Sequence, residues 1–273
     1  MGNVGFAFMM TVLAGLATGV GSLIAFLTKK TNKKFLAVSL GFSAGVMIYV
    51  SMVELFKNAN NYLVTALGER KGAIVAVAAF FGGMLLISLI DKLIPDAQNP
   101  HEIETPLEEG ENGEKEKKLK TKGNNLMRTG LFTAVTIAIH NFPEGLATFV
   151  SAMQDLSIAL PVVAAIAIHN IPEGIAVSVP VYYASGSKKK AFMYSFLSGL
   201  AEPLGAIVGY LVLMPFMNDV VFGILFAAIA GIMVFISMDE LLPAAREYGE
   251  HHLSMYGLVA GMIVMAVSLL IVM

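Results

Sequence analysis

Residues 137–147 read IAIHNFPEGLA, and residues 166–176 read IAIHNIPEGIA. Nine of the eleven positions are identical. Each copy lies within a stretch long and apolar enough to cross a bilayer, which takes about 20 mostly apolar residues. Each copy nevertheless carries a histidine, an asparagine, a proline and a glutamate. Ionisable side chains are costly in hydrocarbon, so their presence in a span points to a functional site. Two matched sets point to one site shared by two helices.

The surrounding composition fits that setting. Of 273 residues, 56% are hydrophobic and 14% charged, with a mean hydropathy of +0.74. Soluble domains carry about 25% charged residues. The chain is therefore expected to be a single all-α integral membrane domain over 1–273. Eight stretches qualify as spans, at 5–28, 35–56, 73–95, 127–152, 157–184, 191–215, 220–244 and 254–273. The first, with Lys29 and Lys30 after it, reads as a membrane helix rather than a cleaved leader. The interval 96–125 is rich in Glu, Lys, Gly and Asn and is expected to be a flexible cytoplasmic loop. There is no cysteine, which excludes disulfides and thiolate ligands. No basic stripe with interleaved aromatics exists, so nucleic acid is dismissed as a partner. The bilayer and divalent cations are the partners expected, with no cofactor. A homodimer is left open.

Orientation follows from lysine and arginine. With the N-terminus outside, the cytoplasmic loops hold fifteen of these residues and the outer loops three: Lys57, Arg70 and Lys71. Both termini are then outside, in a multi-pass protein of the cell (cytoplasmic) membrane. A second repeat underlies the first. AGVMIYVSMVELFKNA (44–59) matches AGIMVFISMDELLPAA (230–245) at eight of sixteen positions. LAGLATGVGSLI (13–24) matches LSGLAEPLGAIV (197–208) at five of twelve. Spans 1–3 and 6–8 thus read as two copies of one unit, inverted in the membrane. Inverted repeats around a midplane site are common in secondary transporters.

On span 4, His140 and Glu144 are four residues apart and share a helix face. Asn141 adds an amide oxygen about 100° round the helix. Pro143 has no N–H, which frees the Ile139 carbonyl and is expected to kink the helix. Span 5 repeats the set as His169, Asn170, Pro172 and Glu173. Gly145 and Gly174 are expected to let spans 4 and 5 approach closely. Imidazoles and carboxylates on one point suit Zn²⁺, Fe²⁺, Mn²⁺ or Co²⁺. Glu202, before Pro203 on span 6, is a third acid that would let the site hold a second ion. Asparagine or histidine alone would also serve as hydrogen-bond glue between helices. A buried glutamate needs a proton or a cation, and no lysine or arginine lies close to these along spans 4–6. Glu54, at the outer end of span 2, and Asp239 and Glu240, at the inner end of span 7, would attract cations at the two mouths. A solvated helix end explains them equally well. Met47 and Met233 read first as core residues.

The paired HN-x-PEG motifs, eight spans and long charged loop resemble the ZIP (Zrt/Irt-like) metal transporters. So do the stretches LGFSAGVM, HNIPEGIAVSVPVYYASGSK and SGLAEPLG. The resemblance covers the chain except 96–125. It implies import of Zn²⁺, with Fe²⁺, Mn²⁺, Co²⁺ and Cd²⁺ also carried, through a binuclear site between spans 4 and 5. His140, Glu144, His169 and Glu173 would form the first site. Asn141, Asn170 and Glu202 would join Glu144 and Glu173 in the second, and Met47 would touch the first. It further implies a 3+2+3 helix bundle, with spans 1, 4, 5 and 6 moving against 2, 3, 7 and 8. Two rivals are an intramembrane metallohydrolase and a metal-gated channel. The hydrolase reading lacks the HExxH spacing such enzymes use.

Overall fold

A computed structural model describes residues 4–27, 33–92, 115–154, 156–248 and 251–272. All regular structure among them is helical. Helix α1 (Val4–Leu27) forms span 1. Span 2 is α2 (Lys33–Val50), a π turn (Ser51–Leu55) and α3 (Phe56–Leu67). Span 3 is α4 (Glu69–Lys92), span 4 lies within α5 (Lys115–Gln154), and span 5 is α6 (Leu156–Ser185). Span 6 comprises α7 (Lys188–Gly199), α8 (Ala201–Val208) and a π turn (Gly209–Leu213). Span 7 comprises α9 (Asp219–Ile236), a π turn (Ser237–Leu241) and α10 (Leu242–Tyr248), and span 8 is α11 (His251–Val272). Among the described residues, seven helical stretches are long and apolar enough to cross a membrane. They are spans 1–3 and 5–8. The span expected at 127–152 falls inside α5.

Three details differ from the sequence reading. Span 2 continues to Leu67, past Lys57. The stretch FKNANNYLVTAL stays helical because Ala59 and Leu63 face the core while Lys57 and Asn61 face out. Gly68 ends it at φ 85°, with its N–H on the Val64 carbonyl at 2.9 Å. A residue with a Cβ rarely adopts that φ. The second difference is at the charged loop. Helix α5 begins at Lys115, within the interval read as flexible, and 93–114 lie outside the described residues. The third is a break inside span 6. Helices α5 and α6 run through Pro143 and Pro172 unbroken, and the break falls in span 6, at Leu200. Pro203 supplies no N–H to the Gly199 carbonyl, which removes one bond of the ladder next to that break.

Turn chemistry fixes the other junctions. Ser187 caps α7 by accepting from the Lys190 N–H at 3.3 Å. Asn218 caps α9 by accepting from the Val220 and Val221 N–H groups at 3.0 and 3.1 Å. A side-chain oxygen there satisfies donors that have no partner in the first turn.

The π turns of spans 2 and 7 fall on matching positions of the repeat. SMVEL and SMDEL each widen the ladder by one residue, with Phe56 N–H on the Ser51 carbonyl and Leu242 N–H on that of Ser237. Glycine contacts follow the repeats too. Gly45 in span 2 leaves no space for a Cβ against Leu258 in span 8, and its repeat partner Gly231 does the same against Phe80 in span 3. Gly261 abuts Phe42, while Gly83 abuts Ala228, the repeat partner of Phe42. Spans 1 and 6 cross where Gly15 meets Gly199, which are themselves repeat partners. Small residues let helices meet backbone to backbone where no hydrophobic force drives them together.

Helix α9 is enclosed, with Phe222, Phe226, Ile229, Met233 and Ile236 all buried. Helix α4 shows Ile74, Phe81, Leu85 and Leu89 on its exterior. In water that apolar stripe would be a liability; against lipid it is the expected face.

Candidate metal centre between spans 4 and 5

Helices α5 and α6 pack side by side. Their facing motifs bring Glu144, His169 and Glu173 together, each offering one ligand atom within 4.8 Å of the others. All three are buried. His169 Nε2 stands 3.1 Å from Glu144 Oε2. The pair is an ion pair when the imidazole is protonated, and Glu144 Oε1 and both Asn Oδ1 atoms of the motifs are buried with no hydrogen-bond partner. Buried polar atoms are ordinarily satisfied. Unsatisfied acceptors of this kind, converging on one point, are what a cation completes. The His140 side chain lies outside the described ones.

The asparagines do two jobs. Asn141 donates to the Ser198 carbonyl at 3.2 Å and Asn170 to the Ala14 carbonyl at 2.9 Å. Ala14 and Ser198 are repeat partners, so the two amides hold spans 1 and 6 in matching ways. Their Oδ1 atoms remain buried and unpartnered. Asn170 also donates to Glu202 Oε1, and this short contact ties the third acid to the motif. Glu202 is fully buried and within electrostatic range of Glu144 and Glu173.

The glycines correct one expectation. Gly145 abuts the backbone of Glu202 in span 6, and Gly174 abuts that of Thr18 in span 1. Neither sits at the contact of spans 4 and 5. One turn earlier, Phe142 meets Gly205 and Ile171 meets Gly21, again as a repeat pair. Close approach therefore seats spans 4 and 5 on spans 6 and 1, which presses Glu202 toward the acids. A glycine in sequence signals a close neighbour without naming it.

The remaining positions lie apart from this cluster or outside its ligand set. Met47 is fully buried and Met233 nearly so, both in the main core. Glu54 is half-buried at the π turn and accepts from Asn58 Nδ2 at 2.8 Å. Glu240 is buried, whereas its neighbour Asp239 is exposed. Sequence reasoning missed Ser43, whose hydroxyl donates to the His169 carbonyl at 3.3 Å, and Ser195, which donates to Thr18 and Gly174 carbonyls at 3.2 and 3.3 Å. It also missed Thr18. The 13–24/197–208 repeat holds the signal for it, because it sets Thr18 opposite Glu202.

Residues 95–269 match the family described as ZIP Zinc transporter. The chain is 66% identical over 265 residues to the zinc transporter ZupT of Streptococcus mutans, covering 97% of each. It is 62% identical to that of Clostridium perfringens, over 99% of this chain and 97% of the relative. A third relative, from Oceanobacillus iheyensis, is 61% identical over 99% of both. The apolar helices make the chain a multi-pass membrane protein. With the family matched over well over half its length, and relatives this similar end to end, the chain belongs to the ZIP family of zinc transporters.

Proposed function

We propose that this protein carries Zn²⁺ across the cell membrane into the cytoplasm, through a two-ion site between spans 4 and 5. Fe²⁺, Mn²⁺, Co²⁺ and Cd²⁺ share the route. The observation that carries the reading is the buried convergence of Glu144, His169 and Glu173, with ligand atoms mutually within 4.8 Å. His140 completes the first seat. Asn141, Asn170 and Glu202 form the second with the two bridging glutamates, and the Asn170–Glu202 hydrogen bond supports that grouping. Imidazole and carboxylate suit borderline divalent ions. The names of the relatives favour zinc among them. The family is one of transporters and not of enzymes, so the hydrolase reading ends there.

Carriage needs a site strong enough to strip water and weak enough to release the ion. Glutamates able to bridge two ions, or to take a proton when an ion leaves, meet both needs. The matched glycine contacts and π turns support spans 1–3 and 6–8 as inverted copies around spans 4 and 5, the 3+2+3 arrangement. Uptake of radioactive zinc into proteoliposomes tests the assignment. Glu144→Ala and Glu173→Ala should each abolish uptake while the protein still folds and inserts. Wild-type uptake by either variant rejects the site.

A further inference from the structure

The glycine and asparagine contacts that seat this site come in repeat-related pairs, and one of the paired positions carries a carboxylate in one copy and a hydroxyl in the other. Glu202 and Thr18 occupy the same place in the two copies, and both are fully buried. Each presents its backbone to a motif glycine, Glu202 to Gly145 and Thr18 to Gly174. The motif asparagines donate to spans 1 and 6 at repeat-related carbonyls: Asn170 to that of Ala14, Asn141 to that of Ser198. The glycine and asparagine contacts match on both sides, and the group between them differs. Glu202 reaches its asparagine and accepts from it. Threonine is shorter by a carboxylate and does not. Thr18 Oγ1 and Asn141 Oδ1 are both buried without a hydrogen-bond partner. They flank the same stretch of α7. Asn141 holds the Ser198 carbonyl, and a Cβ on Gly199 would stand 3.1 Å from Thr18 Oγ1. Buried polar groups without a protein partner are ordinarily completed by ordered water.

We propose that Thr18, with the Asn141 amide oxygen, lines the metal path opposite Glu202 and holds water of the partly hydrated divalent cation in place of a second acidic seat. This rests on the reading of Glu202 as a metal ligand. The charge count gives the reason for the asymmetry. Glu144, Glu173 and Glu202 can together carry three negative charges against the four positive charges of two divalent ions. A glutamate at position 18 would complete neutralisation on both sides and deepen the trap. A hydroxyl keeps one side open, so that an ion can leave.

The absence of cysteine makes a direct test available, since any introduced thiol is the sole one. Thr18→Cys, Glu202→Cys and Thr11→Cys are purified and titrated with Cd²⁺, and the ultraviolet cadmium–thiolate charge-transfer band is recorded. Thr11 is fully buried on the same helix, and its hydroxyl is spent on the Ala7 carbonyl at 3.0 Å. The band is expected from Thr18→Cys and Glu202→Cys and not from Thr11→Cys. A silent Thr18→Cys beside a positive Glu202→Cys overturns the assignment of Thr18 and leaves the carrier reading standing. A silent Glu202→Cys removes the second metal seat and this inference with it. A band from Thr11→Cys means that any buried thiol responds, and overturns the inference. Zinc uptake gives a second measure. Thr18→Val keeps the shape without the hydroxyl and should raise KM about fivefold, while Thr18→Ser stays near wild type. Equal KM for the two variants overturns the role of the hydroxyl.

Discussion

Glu144 and His169 are the side chains for which burial makes the strongest demand. A carboxylate and an imidazole would cost several kcal/mol each if left without further partners in an apolar interior. A cation bound between them, as proposed, would remove that cost, and binding and folding of this region would then reinforce one another. Asn170 acts twice in the proposed second seat, offering its own amide oxygen and holding Glu202 toward the acids. Asn170→Ala should weaken the second of two Zn²⁺ binding steps by about 10- to 100-fold, the range seen when a partner that orients a ligand is lost. The first step should stay within a few-fold, as read by calorimetric titration. Acid should weaken both steps, because protons compete with metal for imidazole and carboxylate. The apparent affinity should therefore fall steadily as pH drops below 6, and equilibrium binding measured across pH checks the sign. That Glu144, His169 and Glu173 would face one another was legible from the chain alone, through the duplication of the motif. Thr18 was not, because a threonine in an apolar helix has no chemical signature until its counterpart is seen to be a glutamate.

At the scale of a helix, neighbouring glycines separate two roles. Gly82 and Gly83 are consecutive in α4. A Cβ on Gly82 meets nothing within 4 Å, whereas one on Gly83 collides with the Ala228 backbone in α9. Gly82→Ala should be neutral or raise the thermal midpoint of the detergent-solubilised protein slightly, as alanine is the better helix former by about 1 kcal/mol. Gly83→Ala should lower the midpoint by several degrees or prevent folding. Equal effects would show that α4 and α9 do not meet as described. The chain announced where helices approach closely but not which ones. Gly145 and Gly174 pointed to a contact between spans 4 and 5, and they serve spans 6 and 1 instead. Helix ends were harder still. Lys57 looks like a terminus until Ala59 and Leu63 are seen to be buried beyond it. The π turns could not be read from either copy of SMxEL, because one extra residue in a ladder leaves no mark on hydrophobic periodicity.

For the whole molecule, the charge asymmetry makes a prediction about sidedness. Glu69 and Lys189 are both exposed at helix starts, on loops assigned to opposite sides of the membrane. In intact cells, a membrane-impermeant maleimide should label Glu69→Cys and spare Lys189→Cys. The reverse pattern would invert the assigned orientation, and with it the direction of import. The number of spans and their internal repeat were readable from hydropathy and self-similarity. The grouping of the helices emerges only from their contacts.

That grouping has a mechanical consequence. Among the described residues, every glycine whose added Cβ would strike the backbone of another span joins helices within spans 1, 4, 5 and 6 or within spans 2, 3, 7 and 8. None joins one group to the other. Where the groups do touch, as α2 does α6, the hydrogen bond recorded is that of the Ser43 hydroxyl on the His169 carbonyl. Each group is thus keyed together by its main chain, and the boundary between them is padded by rotamers. Such a boundary can shear on the microsecond-to-millisecond scale of domain motions without any helix uncoiling. Bulk added along that plane should act as a brake on turnover, leaving both the fold and the ion's seat intact.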